Sequence, residues 1–258
     1  MAARAAEGGH AVITGASRGI GRAIACALAR DGLRLTLIAR DRAALEETRK
    51  ACGGEAFAVA ADVTCEQALR AALARAREQH GPIQVLVNNA GNVETRPFLE
   101  LGLEDLRRML RLHVEAAFLA CLEAVPDMRR LGRGRIVNVA STAGVMGIPY
   151  VVPYVVAKHG LVGLTRALAV ELARTGITVN AVCPGYTDTD MLRRAMARIA
   201  ERTGRTPADI AADIAARNPM RRLVRPEEVA ALVRHLCSEE AGAITGQCLL
   251  IDAGESIA

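Results

Sequence analysis

The chain has 258 residues, a formal charge of +5, 51% hydrophobic residues and 2% aromatic ones. Such a length and apolar content support one large α/β domain over residues 1–258, while arginines scattered among acids, with so few rings, exclude a basic stacking surface for nucleic acid. Seven widely spaced cysteines, odd in number and without metal-ligand spacing, read as small buried hydrophobes of a reducing cytosol, and no metal is expected.

In chain order, Met1 to Gly9 lack the apolar centre of an export signal, and no later run nears the roughly 18 apolar residues of a membrane span. A soluble, cytoplasmic protein is expected. His10–Thr14 is a short apolar strand that breaks into Gly15, Ser17, Arg18, Gly19, Ile20 and Gly21, before a helix from about Arg22 to Arg30. Strand, glycine turn and helix make a phosphate-binding corner, because glycines let the backbone approach and free N–H groups at the helix start face the anion. The spacing Gly-x-x-x-Gly-x-Gly is a variant of the dinucleotide fingerprint, and an ordinary tight turn would also produce it. Leu33–Ala39 is a second strand, with Arg40 at its end. Folds that use NAD place an acid near this end for the ribose 2′-hydroxyl. Asp41 stands there, but it reads better as the N-cap of the next helix. Arg40 with Arg18 suits a 2′-phosphate, which favours NADP(H) over NAD(H).

Ala56–Ala60 is a third strand running to Asp62 and Val63, and Thr64–His80 is an amphipathic helix with Thr64 as cap and Gly81 as stop. Ile83–Val87, the fourth strand, leads to Asn88, Asn89, Ala90 and Gly91. Helical pattern from about Leu103 to Arg130 is interrupted at Pro126. Arg129, Arg130, Arg133 and Arg135 cluster before the fifth strand, Arg135–Ala140; they could meet an acidic carrier protein or form a solvated basic turn. Ser141 follows that strand, where open parallel sheets place reactive side chains. In the next helix, Tyr154–Arg174, Tyr154 and Lys158 share one face about one turn apart. Of 33 Lys and Arg only Lys50 and Lys158 are lysine, so a tunable ammonium stands where the chain otherwise uses guanidinium. Ile177–Val182 is the sixth strand, Pro226–Cys237 a capped helix and Cys248–Ile251 the last strand. Between Thr189 and Pro219 two helix-like pieces, Met191–Arg202 and Pro207–Arg217, break the rhythm. A mobile substrate lid over 189–220, or a helix pair docked on a neighbouring subunit, accounts for them. The alternation as a whole predicts an α/β fold: a doubly wound, Rossmann-like, seven-stranded parallel sheet with helices on both faces.

These parts resemble the short-chain dehydrogenase/reductase family over about residues 8–254. The motifs are Thr14-Gly15-x-x-x-Gly19-x-Gly21, Asp62-Val63, Asn88-Asn89-Ala90-Gly91, Ser141, Tyr154-x-x-x-Lys158 and Pro184-Gly185-x-x-x-Thr189. Within the family, the run from Glu171 to Gly185 looks like bacterial β-ketoacyl and polyketide ketoreductases, and Lys158-His159-Gly160 looks also like 3-hydroxybutyrate dehydrogenases. The resemblance implies hydride transfer with Tyr154 as general acid/base, its pKa lowered by Lys158 and the nicotinamide charge. Lys158 would hold the nicotinamide ribose, and Ser141 the substrate oxygen. Asp62 would bind adenine, with Val63 beside it; Asn89, Ala90 and Gly91 would line the adenosine ribose; Pro184, Gly185, Thr187 and Thr189 would hold the carboxamide. One position departs from the family: His113 stands where it usually has Asn, whose main-chain carbonyl holds a relay water. A satisfied histidine whose carbonyl alone matters is the preferred reading, and a titrating catalytic group the other. The expected reaction is NADPH-dependent reduction of a 3-oxoacyl thioester, carried by an acyl carrier protein or coenzyme A, in a homotetramer or homodimer. Oxidation of a small free hydroxy acid or secondary alcohol is the second reading, and a non-catalytic scaffold the third.

Overall fold

The computed structural model describes residues 8–257. Its strands are β1 (His10–Thr14), β2 (Arg34–Ala39), β3 (Ala56–Ala60), β4 (Val85–Asn88), β5 (Gly134–Val139), β6 (Ile177–Pro184) and β7 (Cys248–Ile251). They form one sheet in the order β3-β2-β1-β4-β5-β6-β7, every neighbouring pair parallel. Side chains alternate across the strands. Ala11 and Ile13 of β1 join a core under α1 (Gly19–Ala29) and α9 (Pro226–Leu236). Val12 points into the other core, under α3 (Glu66–His80), α5 (Ala116–Leu131) and α6 (Val152–Glu171). Both faces are covered, as parallel strands with near-continuous apolar sequence require. The strand order reverses between β1 and β4, which opens a crevice at their carboxyl ends.

Two local expectations are corrected and a third holds. Thr64 does not cap α3: its N–H and hydroxyl both donate to Asp62 Oδ1, at 2.9 and 2.7 Å, so helix geometry begins only at Glu66. Pro126 sits inside α5 without ending it. The missing N–H costs little there, because Leu122, one turn earlier, is exposed and its carbonyl can take water. The real interruption comes earlier, where a π-turn at Arg111–Glu115 joins α4 (Leu103–Leu110) to α5. Asp41 does cap α2 (Arg42–Cys52), accepting from Ala44 N at 3.1 Å.

A buried polar ladder fixes α6 on the sheet. Asn88 Nδ2 donates to Asn138 Oδ1 at 2.9 Å, Asn138 Nδ2 donates to Thr165 Oγ1 at 2.8 Å, and Thr165 donates back to Leu161 O. Asn138 and Thr165 are fully buried, so a lost partner has no water to replace it. Thr165→Val keeps the shape but strands Asn138 Nδ2. It should lower stability by about 1–3 kcal/mol in urea unfolding, and a loss below about 0.5 kcal/mol would show that the ladder does not hold the helix.

Candidate active site

The two halves of the crevice are clamped by side chains of Thr14 and Asn89. Thr14 Oγ1 accepts from Asn89 N and Ala90 N at 3.0 and 3.1 Å, and Asn89 Nδ2 donates to the carbonyls of Thr14 and Gly15 at 3.0 and 3.1 Å. Asn89 therefore spends its amide on the glycine loop, a structural duty that the expectation of a ribose-lining side chain did not include. The loop tolerates nothing larger: a Cβ on Gly21 would stand 2.2 Å from Gly15 O, and Gly15 and Gly19 have φ of +67 and +54°. Arg18 precedes α1 in extended conformation and offers no side-chain cap, and no acid occupies the first turn. The N–H groups of Gly19, Ile20 and Gly21 thus open the helix with an uncompensated positive end. Ser17 is buried, and its carbonyl accepts from Thr48 Oγ1 at 3.2 Å, which anchors the loop to α2.

Arg40 is exposed at the end of β2, beside the end of β3 where Asp62 follows. Hydrogen bonds from Thr64 hold the Asp62 carboxyl below its ordinary range, with the Arg40 charge adding to them. Val63 is buried in the core under α3. Across the crevice, β6 ends at Pro184 and Gly185. Thr187 Oγ1 donates to Gly185 O at 3.0 Å, and Thr189 caps α7 (Asp190–Thr203) through Leu192 N at 3.3 Å. Thr189 Cγ2 also stands against Gly19, 3.3 Å from where a Cβ would lie. α7 and α8 (Pro207–Ala215) share a small core of Met196, Ile210 and Ile214.

Ser141 follows β5 in extended conformation and starts a short 3₁₀ turn, Thr142–Gly144, its Oγ accepting from Ala143 N at 3.2 Å. α6 brings Tyr154 and Lys158 to the same place. Lys158 is 4% exposed and donates from Nζ to Val139 O at 2.8 Å, and Nζ lies 5.5 Å from the Tyr154 ring centre. Burial lowers the ammonium to about 7. It also pushes the Tyr154 phenol up to about 12, against a hydrogen bond with Ser141. The expected lowering of Tyr154 is therefore not a property of the chain alone: desolvation outweighs the Ser141 hydrogen bond, and the phenol is stored protonated.

His113 lies in the π-turn, 3% exposed, its ring edge-on to Tyr154 with centres 5.3 Å apart. Nε2 donates to Asn92 O at 2.8 Å, which leaves Nδ1 the acceptor, buried and without a partner among the described residues. Burial and the nearby Lys158 charge lower His113 to about 3, so it is neutral. Its ring also walls Gly91, where a Cβ would stand 2.8 Å from Cε1. Tyr150, just before α6, is an exposed ring with φ of 65°, and its carbonyl accepts from Arg96 N at 2.8 Å. The arginine cluster before β5 stands at the amino edge of the sheet, opposite Ser141 in the same chain. There Arg130 pairs with Asp127, Arg133 with Glu239, and Arg135 bonds to Ser238 O. Among the described residues no helix is long and apolar enough to cross a membrane, and no cluster could hold a metal ion.

With this geometry in view, the comparisons agree. A family model described as enoyl-(acyl carrier protein) reductase matches residues 15–256. A protein described as ketoacyl reductase 1 of the granaticin polyketide synthase of Streptomyces violaceoruber is 41% identical over 95% of this chain and 92% of its own. D-beta-hydroxybutyrate dehydrogenase of Rhizobium meliloti is 33% identical over 95% of this chain and 97% of its own. Actinorhodin polyketide ketoreductase, solved with NADPH, superposes with a TM-score of 0.93 at 38% identity, covering 97% of this chain and 98% of that one. This chain belongs to the short-chain dehydrogenase/reductase family.

Proposed function

We propose that the protein is an NADPH-dependent ketoreductase that reduces a 3-oxoacyl thioester, or a similar ketone, to the hydroxy compound. The observation that carries this reading is the placement of the Tyr154 phenol beside Ser141, with Lys158 buried behind both. Reduction needs a proton donor at the carbonyl oxygen, and a phenol held at about 12 is stored in the donor form. Relatives and structural neighbours support the ketone and the cofactor: two polyketide ketoreductases by name, and one solved with NADPH.

The residues present fit the cofactor. The uncapped start of α1 suits a pyrophosphate, exposed Arg18 and Arg40 a 2′-phosphate, and Asp62, tied down through one oxygen, an adenine edge. When bound there, NADPH supplies the hydride. Ser141 and Tyr154 would hold the carbonyl oxygen, so the developing negative charge meets two hydroxyl donors. Tyr154 then gives its proton to that oxygen. Lys158, anchored by the Val139 carbonyl and with two further N–H bonds to give, would bind ribose hydroxyls and stabilise the phenolate left behind. The α7–α8 pair follows the carboxyl end of β6 and would close over the substrate as a lid. A free hydroxy acid would want a cation for its carboxylate, but Arg96 and Arg108 after β4 are spent on Glu94 and Asp105. That favours a neutral thioester. Exposed Phe118 and Leu122 on α5, with Val156 and Val170 on α6, support assembly into two or four copies.

Three measurements test the reading. NADPH should be preferred to NADH, and Arg40→Ala should cut that preference by about tenfold or more, since one charge-assisted hydrogen bond is worth about 1.5–3 kcal/mol; equal kcat/KM for both cofactors in the unmutated protein would overturn the assignment. Tyr154→Phe should abolish turnover while NADPH still binds within a few-fold, and Lys158→Arg should be severely impaired. A Tyr154→Phe protein keeping about a tenth of its activity would sink the mechanism. For His113, a neutral ring with a pKa of about 3 implies no histidine inflection in kcat/KM between about pH 5 and 9. His113→Asn should leave that profile unchanged; loss of both activity and a neutral inflection would instead make the imidazole catalytic.

A further inference from the structure

Along α1, beyond the phosphate corner, two of the cysteines meet. Cys26 lies in the third turn of α1, Cys52 is the last residue of α2, and their sulfurs are 3.4 Å apart. Both are partly accessible, neither sealed in a core. To reach the roughly 2.05 Å of a disulfide the sulfurs must close by only about 1.4 Å. Cys52 is followed by Gly53 and Gly54, and a Cβ at either would meet nothing within 4 Å, so packing at those two positions does not resist a small shift.

A cavity of about 300 Å³ opens beside the pair, and Cys26 lines it while Cys52 does not. Arg22, one turn before Cys26 on α1, and Arg30, which caps the end of that helix, line it as well. Both are exposed and form no ion pair among the described residues, whereas Arg193, a third lining residue, is spent on Asp188 and Asp190. Glu227 lines the same space, with Asp188 and Asp190 paired to Arg193, and Gly19 and Thr189 at the phosphate corner line it too. Two free guanidiniums and carboxylates around a thiol match a ligand that bears carboxylates and an ammonium near a reactive sulfur.

We propose that Cys26 and Cys52 form a redox-modification site that takes a small zwitterionic disulfide, of the class of glutathione disulfide, and ends as a Cys26–Cys52 disulfide. Cys26, which faces the cavity, loses its proton to water and attacks one sulfur of the small disulfide. That S–S bond breaks, and the first small thiolate leaves with the electron pair. Cys52 then gives up its proton and attacks the Cys26 sulfur; the mixed disulfide breaks and the second small thiolate leaves. Two protein thiols are oxidised, one small disulfide is reduced to two thiols, and the two protons end on them. Cys52 acts second because burial and its bond to Cys26 hold its thiol well above the usual range, although Arg22 and Arg30 pull the other way. The cross-link ties the end of α2 to the helix whose first turn forms the phosphate corner, and leaves Ser141, Tyr154 and Lys158 untouched.

The test is peptide mass spectrometry, without reductant, of the purified full chain after incubation with glutathione disulfide. A Cys26–Cys52 linked peptide, two hydrogens lighter and restored by dithiothreitol, is expected. Cys52→Ser should stop at a glutathionyl adduct on Cys26. The double substitution Arg22→Ala, Arg30→Ala should slow modification of Cys26 by glutathione disulfide by about threefold or more, but by uncharged hydroxyethyl disulfide hardly at all. Should Cys52→Ser fail to fold, the linked peptide in the unmutated protein still decides. Adducts on exposed Cys65 with no linked peptide would overturn the site, and equal slowing towards both reagents would overturn the ligand class.

Discussion

A lysine ammonium held out of water needs its partners supplied by the fold, and Lys158 has one from the chain, the carbonyl of Val139 at the end of β5. That single bond sets much else. It requires α6 to lie across the carboxyl end of β5 at one height, and the Asn88–Asn138–Thr165 ladder keeps it there. It puts Tyr154, one turn earlier, beside Ser141, which the same strand end presents. Arginine could not replace it: a guanidinium is a planar fork that does not shed its charge, whereas burial brings this ammonium to about 7. In a chain that uses arginine nearly everywhere, a lysine here reflects that demand.

The opposite wall of the crevice is built on backbone. At the β1–β4 switch point, the side chains of Thr14 and Asn89 between them make five hydrogen bonds, all to main-chain groups. They draw the glycine loop so close to the residues after β4 that a Cβ on Gly15 would stand 2.8 Å from Ala90 Cα. Tight closure of this kind aims the N–H groups of Gly19–Gly21 outward in a fixed direction, while Arg18 and Arg40 stand exposed and take no part in it. A substitution at Arg40 therefore leaves the corner undisturbed.

The fold was legible because its signals are local. β1, β3 and β7 fall on the residues that alternation and glycine punctuation indicate, and Gly81 stops α3 as expected. The site residues were legible through spacing along two elements, Ser141 at a strand end and Tyr154 with Lys158 on a helix face. What stayed hidden depends on contacts between distant segments. The Asn88–Asn138–Thr165 ladder joins residues 50 and 27 positions apart, and nothing in either neighbourhood announces it. Thr64 looks like a cap until Asp62 is seen to bind it, and Pro126 looks like a break until the exposed turn before it is seen. The π-turn at Arg111–Glu115 has no local signature at all; it is a property of how α4 and α5 meet α6.

That turn is where the chain departs from its family, and the departure is electrostatically coherent. A cationic imidazole at 113 would stand beside Lys158 and make a buried ammonium dearer still; the low pKa of His113 reflects both burial and that charge. The neutral ring instead donates from Nε2 to Asn92 O, which binds the π-turn to the segment after β4, and presents its edge to Tyr154. Its wall against Gly91 leaves no room for a side chain there, so the glycine and the histidine constrain each other. Nδ1 remains as a buried acceptor facing no protein donor among the described residues. An acceptor in that state costs the folded chain unless something donates to it, and water is the small donor that could do so without moving the ring. His113 thus adds one buried acceptor beside Tyr154 without adding a charge.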